Sequence, residues 1–134
     1  MSNLGLVAAF AKYSAKLRNV NWSVCAETPE GDLVMSLWQH HFYRGEPGFL
    51  ECSDSCARWA GPGKNEFARA LSKAIQTQQR VRLVVAKTSE VDRIQAGVDA
   101  SKVAKTFAVR EDMIGRVTYF DGEKYVIRFA KAPS

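Results

Sequence analysis

One stretch limits the folds open to this chain more than any other: Lys64 to Lys87, K-N-E-F-A-R-A-L-S-K-A-I-Q-T-Q-Q-R-V-R-L-V-V-A-K. Its first half places Phe67, Ala68, Leu71, Ala74 and Ile75 at i, i+1, i+4, i+7 and i+8. That is one apolar stripe of a 3.6-residue period, so the segment reads as an amphipathic helix over 65–78. Arg69, Ser72, Lys73 and Gln76 fall off the stripe and should face water. Gly61-Pro62-Gly63 bars a helix from running in from upstream, and Asn65 is the expected N-cap. The second half reads as a strand over 80–87. Its apolar residues are consecutive, so both faces should be covered and the strand should lie inside a sheet. It could there pair in parallel with a neighbour.

The same stretch holds the charge. Lys64, Arg69, Lys73, Arg80, Arg82 and Lys87 stand against Glu66 alone, which gives the segment +5, equal to the +5 of the whole chain. A basic helix face attracts phosphates without reading bases. The alternative is a solvated face that keeps the domain soluble.

The flanks supply the rest of the fold. Asn3 to Arg18 reads as a first helix (3–18) with Leu6, Val7, Phe10, Tyr13, Ser14 and Leu17 inward and Lys12, Lys16 and Arg18 outward. Residues 20–27 and 33–42 alternate as strands around Thr28-Pro29-Glu30-Gly31-Asp32, where Pro presets one dihedral and Gly permits a positive one. Residues 43–63 are the least regular, with a turn at 44–48, a short strand at 49–52 and one helical turn over 54–59. Val91 to Ile94 has weak helical character. Strands follow over 105–110, 113–120 and 123–130, the last two joined by Asp121-Gly122, a type I′ turn signal.

The 134 residues therefore predict one α+β domain. Its curved, mostly antiparallel sheet, in the form of a partly closed barrel, packs on two helices and carries N- and C-terminal β-hairpins. This length buries about two-thirds of its unfolded surface, enough for a core without staples. No apolar run reaches the roughly 20 residues of a membrane span. The run Leu4 to Ala11 lacks a preceding positive charge and is short for a signal peptide. Cys25, Cys52 and Cys56 are odd in number and show no framework spacing. A cytoplasmic protein is the expectation.

No motif announces catalysis. His40, His41, Cys52 and Cys56 are zinc-ligand types, but adjacent residues on a strand point to opposite faces, so both histidines could ligate only if the strand broke there. Gly61-Pro62-Gly63-Lys64-Asn65 lacks the leading glycine and the hydroxyl of a Walker A loop. A free helix N-terminus beside Lys64 remains a candidate phosphate contact. No Asp/Glu-x-Lys, His-Glu-x-x-His or Gly-x-Ser-x-Gly is present, and no metal or other cofactor is expected.

The reading is a non-enzymatic nucleic-acid-binding domain. Lys64, Arg69, Lys73 and Arg58 would contact phosphates. Trp59 and Arg44 would border the site; an exposed Trp59 beside Arg58 could stack on a base, the alternative being a loop anchor that plugs the edge of the core. Two rivals stand beside it. One is an adaptor or homodimer whose basic face meets an acidic protein partner. The other is an enzyme or ligand binder using the 43–63 loop with His40 or His41.

Overall fold

The computed structural model describes residues 5–19, 23–56, 61–96 and 103–131. The architecture is α+β. Among the described residues three α-helices, α1 (Leu6–Ala11), α2 (Pro62–Thr77) and α3 (Val91–Gln95), accompany strands β1 (Cys25–Glu27), β2 (Leu33–Trp38), β3 (Phe42–Arg44), β4 (Phe49–Ser55), β5 (Val81–Lys87), β6 (Thr106–Phe120) and β7 (Lys124–Lys131). All seven strands form one sheet in the order β1-β2-β5-β6-β7-β4-β3. Only β2 and β5 pair in parallel; the other neighbours are antiparallel. β5 is interior, as its unbroken apolar run demands.

The sheet does not close. β1 and β3 are its two edges, so the expected curved, mostly antiparallel sheet stays open. The curvature has a covalent cause. β2, next to one edge, is joined to β3, the opposite edge, by a single 3-10 turn, Gln39–His41. Three residues span about 10 Å at most, which draws the ends of the sheet together. The expected strand 33–42 is thus broken at Gln39–His41, with β2 next to one edge of the sheet and Phe42 opening β3 at the other. The 43–63 region is also more regular than expected, since β4 pairs with β7 through Ser55 and the helical turn over 54–59 does not begin at Asp54.

The concave face wraps α2. Phe67, Leu71 and Ala74 are fully buried against Leu33, Met35 and Leu37 of β2, Val81, Leu83 and Val85 of β5, Val117 of β6, and Ile127 and Phe129 of β7. Each of the larger side chains, Phe67 and Leu71 among them, contributes roughly 1.5–3 kcal/mol of transfer free energy. The helix begins at Pro62, with Gly61 as N-cap at φ +106°. Proline at the first turn loses no hydrogen bond that the helix would make, which is why the start lies upstream of Asn65. Gln78, at φ +54°, ends it. Gly115 of β6 faces Phe129, and a Cβ there would sit 2.6 Å from the ring; only glycine lets β6 cross that close.

The convex face is covered less completely. Ala9 and Phe10 of α1 pack with Tyr13, Ala15 and Leu17 on Val34 and Val84. Ile94 of α3 and Val103 pack with Trp38 and Ala86. α1 is far shorter than the helix expected over 3–18. Ser14 sits at φ +61°, a left-handed conformation that no helix continues through. From Tyr13 to Arg18 burial then alternates residue by residue, the period of an extended chain. Val7, expected inward, is 55% exposed. Asn3 lies outside the described residues, as do 20–22 of the expected first strand.

The two C-terminal strands 105–110 and 113–120 are one strand, β6. It pairs with β5 in its first part and β7 in its second, with a register shift against β5 between Val81 and Leu83. Arg110, Glu111 and Asp112 are exposed at that bend. The β6–β7 turn has Gly122 at φ +102° and no positive φ at its neighbours, so it is not type I′, which needs two. Asp121 Oδ1 instead accepts from the backbone N–H groups of Glu123 (2.9 Å) and Lys124 (2.7 Å).

Candidate nucleic-acid interface

The basic segment divides when it folds. In the strand half the two arginines share one carboxylate. Asp32 is buried at the end of the β1–β2 turn, and its carboxylate accepts from Arg80 Nε at 2.9 Å and Nη2 at 3.1 Å. Arg82 Nη1 lies 3.8 Å from the same group, and Arg82 Nη2 donates to the Glu111 carbonyl at 3.1 Å. Thr28 Oγ1 accepts from the Asp32 backbone N–H at 3.1 Å and locks the turn. Tyr13 lies under Arg82, whose guanidinium is 4.9 Å from the ring centroid, and its hydroxyl donates to the Leu83 carbonyl at 2.7 Å. Burial raises the Tyr13 hydroxyl to about 12, with Arg82 opposing.

The helix half is different. Glu66, Arg69, Ala70 and Lys73 fall on one stripe of α2, at i, i+3, i+4 and i+7. That stripe forms one wall of a groove of about 320 Å³. Lys16 and Arg18, from the extended link after α1, also line it, with Cys25, Ala26 and Glu27 of β1, Leu33 and Gln79. Lys16, Arg18 and Arg69 take part in none of the ion pairs among the described residues. Lys73 is engaged, its Nζ 2.7 Å from Glu27 Oε2. Gln79 Nε2 donates to the same oxygen at 2.6 Å. These two bonds hold the Glu27 carboxyl below its ordinary range, Lys73 first. Burial and then Glu66 push the Cys25 thiol up, and Cys25 Sγ donates to Glu66 Oε1 at 3.8 Å.

Of the residues expected at the site, the groove brings together Arg69 and Lys73. Lys64 does not line it. At about 100° per residue, Lys64 lies roughly opposite the Glu66–Lys73 stripe. Arg44 is exposed on β3, the far edge of the sheet. Arg58 and Trp59 lie outside the described residues. Lys16, Arg18, Glu27, Glu66 and Gln79 are groove residues that the sequence reading did not assign to a site.

The histidines meet in an unexpected way. Because the strand does break at Gln39–His41, the two imidazoles lie edge to face with centroids 4.3 Å apart. His40 also stacks on Trp38 at 5.8 Å. His41 Nδ1 is 3.3 Å from Asp54 Oδ2, with both side chains nearly buried. Among the described residues no group of three or more His, Cys, Asp and Glu is placed to hold a metal, and no helix is long and apolar enough to cross a membrane.

No family model, curated protein or solved structure matches the chain. The groove must therefore be interpreted from its own chemistry.

Proposed function

We propose that the domain is a small non-catalytic nucleic-acid-binding module of the cytoplasm, and that it holds the phosphate backbone in the groove between α2 and the Lys16–Arg18 link. One observation carries this reading. Three cations without ion-pair partners among the described residues, Lys16, Arg18 and Arg69, come from separate parts of the chain and line one groove. Like charges gathered on a concave surface repel one another and raise the local anion concentration. Lys73 adds a fourth cation when Glu27 releases it.

Fluorescence anisotropy with short labelled single- and double-stranded DNA and RNA at two salt concentrations tests it. Three or four phosphate contacts give a salt slope of roughly −2 to −4 in log K against log salt. The pair Lys16→Glu and Arg69→Glu should abolish that binding, while Lys64→Glu, on the opposite side of α2 and not lining the groove, should leave it within about twofold, because salt screens charges away from the contact. Full binding by the groove variant, or no binding to any probe at low salt, overturns the reading. In the second case an acidic protein becomes the better-supported occupant of the same groove.

A further inference from the structure

Glu66 is the residue that the phosphate reading leaves unused. Its carboxylate lines the groove beside Arg69, yet it joins none of the ion pairs among the described residues. It accepts one long hydrogen bond, from the buried Cys25 thiol at 3.8 Å. Glu27, the groove's other carboxylate, is taken up by Lys73 and Gln79. Glu66 is thus an acceptor group, half-buried, with capacity left over.

A carboxylate beside a phosphate is repulsive, so in a groove for polyanions it has to meet a part of the ligand that carries N–H donors. In a nucleic acid that part is a base edge. Carboxylates accept from exocyclic amino groups, and the number of donors on the edge decides which base fits best. Guanine presents two adjacent donors, N1–H and N2–H, which match the two oxygens of one carboxylate. Adenine and cytosine present a single amino group next to a ring acceptor. Thymine and uracil present one N–H between two carbonyl oxygens, which a carboxylate repels. The apolar surface between the charges is Ala26, Leu33 and Ala70, against which a flat ring can lie. About 320 Å³ is at the small end of the roughly 300–1,000 Å³ of small-molecule sites, room for one nucleotide and not several.

From these features we infer that the groove takes one unpaired guanine of a single strand, its Watson–Crick edge on Glu66 and its flanking phosphates on Lys16, Arg18 and Arg69. In a duplex the N1–H and N2–H donors are consumed by cytosine, so the site selects single strands. This inference rests on the nucleic-acid reading of the groove.

The test uses the whole chain and a short labelled thymidine strand with one central guanine. Its comparators are the same strand with inosine, which lacks the 2-amino group, the same strand with thymidine only, and the guanine strand annealed to its complement. The expected result is about tenfold weaker binding to the inosine strand, the order of one bidentate base contact, and weaker still to the thymidine strand and the duplex. Glu66→Gln should lose the guanine preference while keeping its salt-dependent binding and its circular dichroism. Equal affinity for all the strands, or an unchanged guanine preference in Glu66→Gln, overturns the inference and leaves the backbone reading standing. No binding to any strand at low salt overturns both. Competition by guanosine monophosphate at the oligonucleotide's own affinity would assign the groove to a free nucleotide and overturn the single-strand assignment.

Discussion

The two halves of the basic segment, continuous in sequence, meet opposite fates. At the start of β5, Arg80 (just before the strand) and Arg82 close on the buried Asp32 and become part of the framework. On α2, Arg69 stays open and is joined by Lys16 and Arg18 from an element fifty residues away. The segment's local +5 is not the charge its surroundings experience. Glu27 and Asp32, at either end of the β1–β2 turn, return part of the negative charge to it. Charge that lies next to a turn rich in acids is structural; charge that lies next to other cations is available to a ligand.

The contrast predicts that changes in the strand half alter stability and changes in the helix half alter binding. The largest effect should come from Asp32→Asn. It keeps the shape of the side chain but removes the charge from a bidentate arginine contact, and hydrogen bonds to charged groups contribute about 1.5–3 kcal/mol. Urea unfolding should show a lowered midpoint that, multiplied by an unchanged slope, gives a loss of that size. Binding to nucleic acid should move by less than about twofold, because Arg80 and Arg82 do not line the groove. A severalfold gain in affinity would mean that the strand half belongs to the binding surface, and the division drawn above would fail.

The fold was legible where a single period dominates. The apolar stripe of 67, 71 and 74 placed α2, and the consecutive apolar run of 81–86 placed β5 in the interior. The alternation in 113–130 placed the second hairpin. Three features were obscured for separate reasons. Tyr13-Ser14-Ala15-Lys16-Leu17-Arg18 fits both a helical and a period-2 pattern. The helical pattern puts Lys16 and Arg18 on the solvent side of a helix, but the helix stops at Ala11. The break at Gln39–His41 carries no glycine or proline, so nothing local marks it; the chain turns there because β3 finds its partner at the far edge. The groove itself could not be read, since Glu27, Glu66 and Arg18 meet only through the order of the strands.

A smaller effect should come from the tyrosine that braces the strand half. Tyr13→Phe removes the hydrogen bond to the Leu83 carbonyl and should cost about 1 kcal/mol at pH 7. Its pH dependence has a definite sign. The Tyr13 hydroxyl titrates near 10 in the unfolded chain and near 12 in the fold. Between those values the unfolded state binds fewer protons, so stability falls as pH rises. Burial of the Cys25 and Cys52 thiols, which titrate near 9 when exposed, acts in the same direction. Unfolding measured from pH 7 to 11 should therefore show a decline that starts near pH 9. The Tyr13→Phe protein should lose less stability above pH 10 than the parent. An identical alkaline slope would remove Tyr13 from the strand-half framework.

The smallest effect should sit at the boundary between the halves, where Lys73 belongs to the helix but is held by Glu27. Both side chains are about half exposed, and exposed pairs of this kind contribute only about 0.2–1 kcal/mol. Glu27→Gln should therefore leave thermal stability almost unchanged at pH 7. Its effect near pH 4 should also be the smaller one. The Glu27 carboxyl is depressed in the fold, so its contribution is present above the unfolded value of about 4.5 and fades as pH falls through the folded one. Binding is where the substitution should register. Releasing Lys73 adds one cation to a groove that already holds three open ones, which should steepen the salt slope by somewhat under one unit. An unchanged slope with lowered stability would place Lys73 with Arg80 and Arg82, as framework, and would confine the ligand-facing charge to Lys16, Arg18 and Arg69.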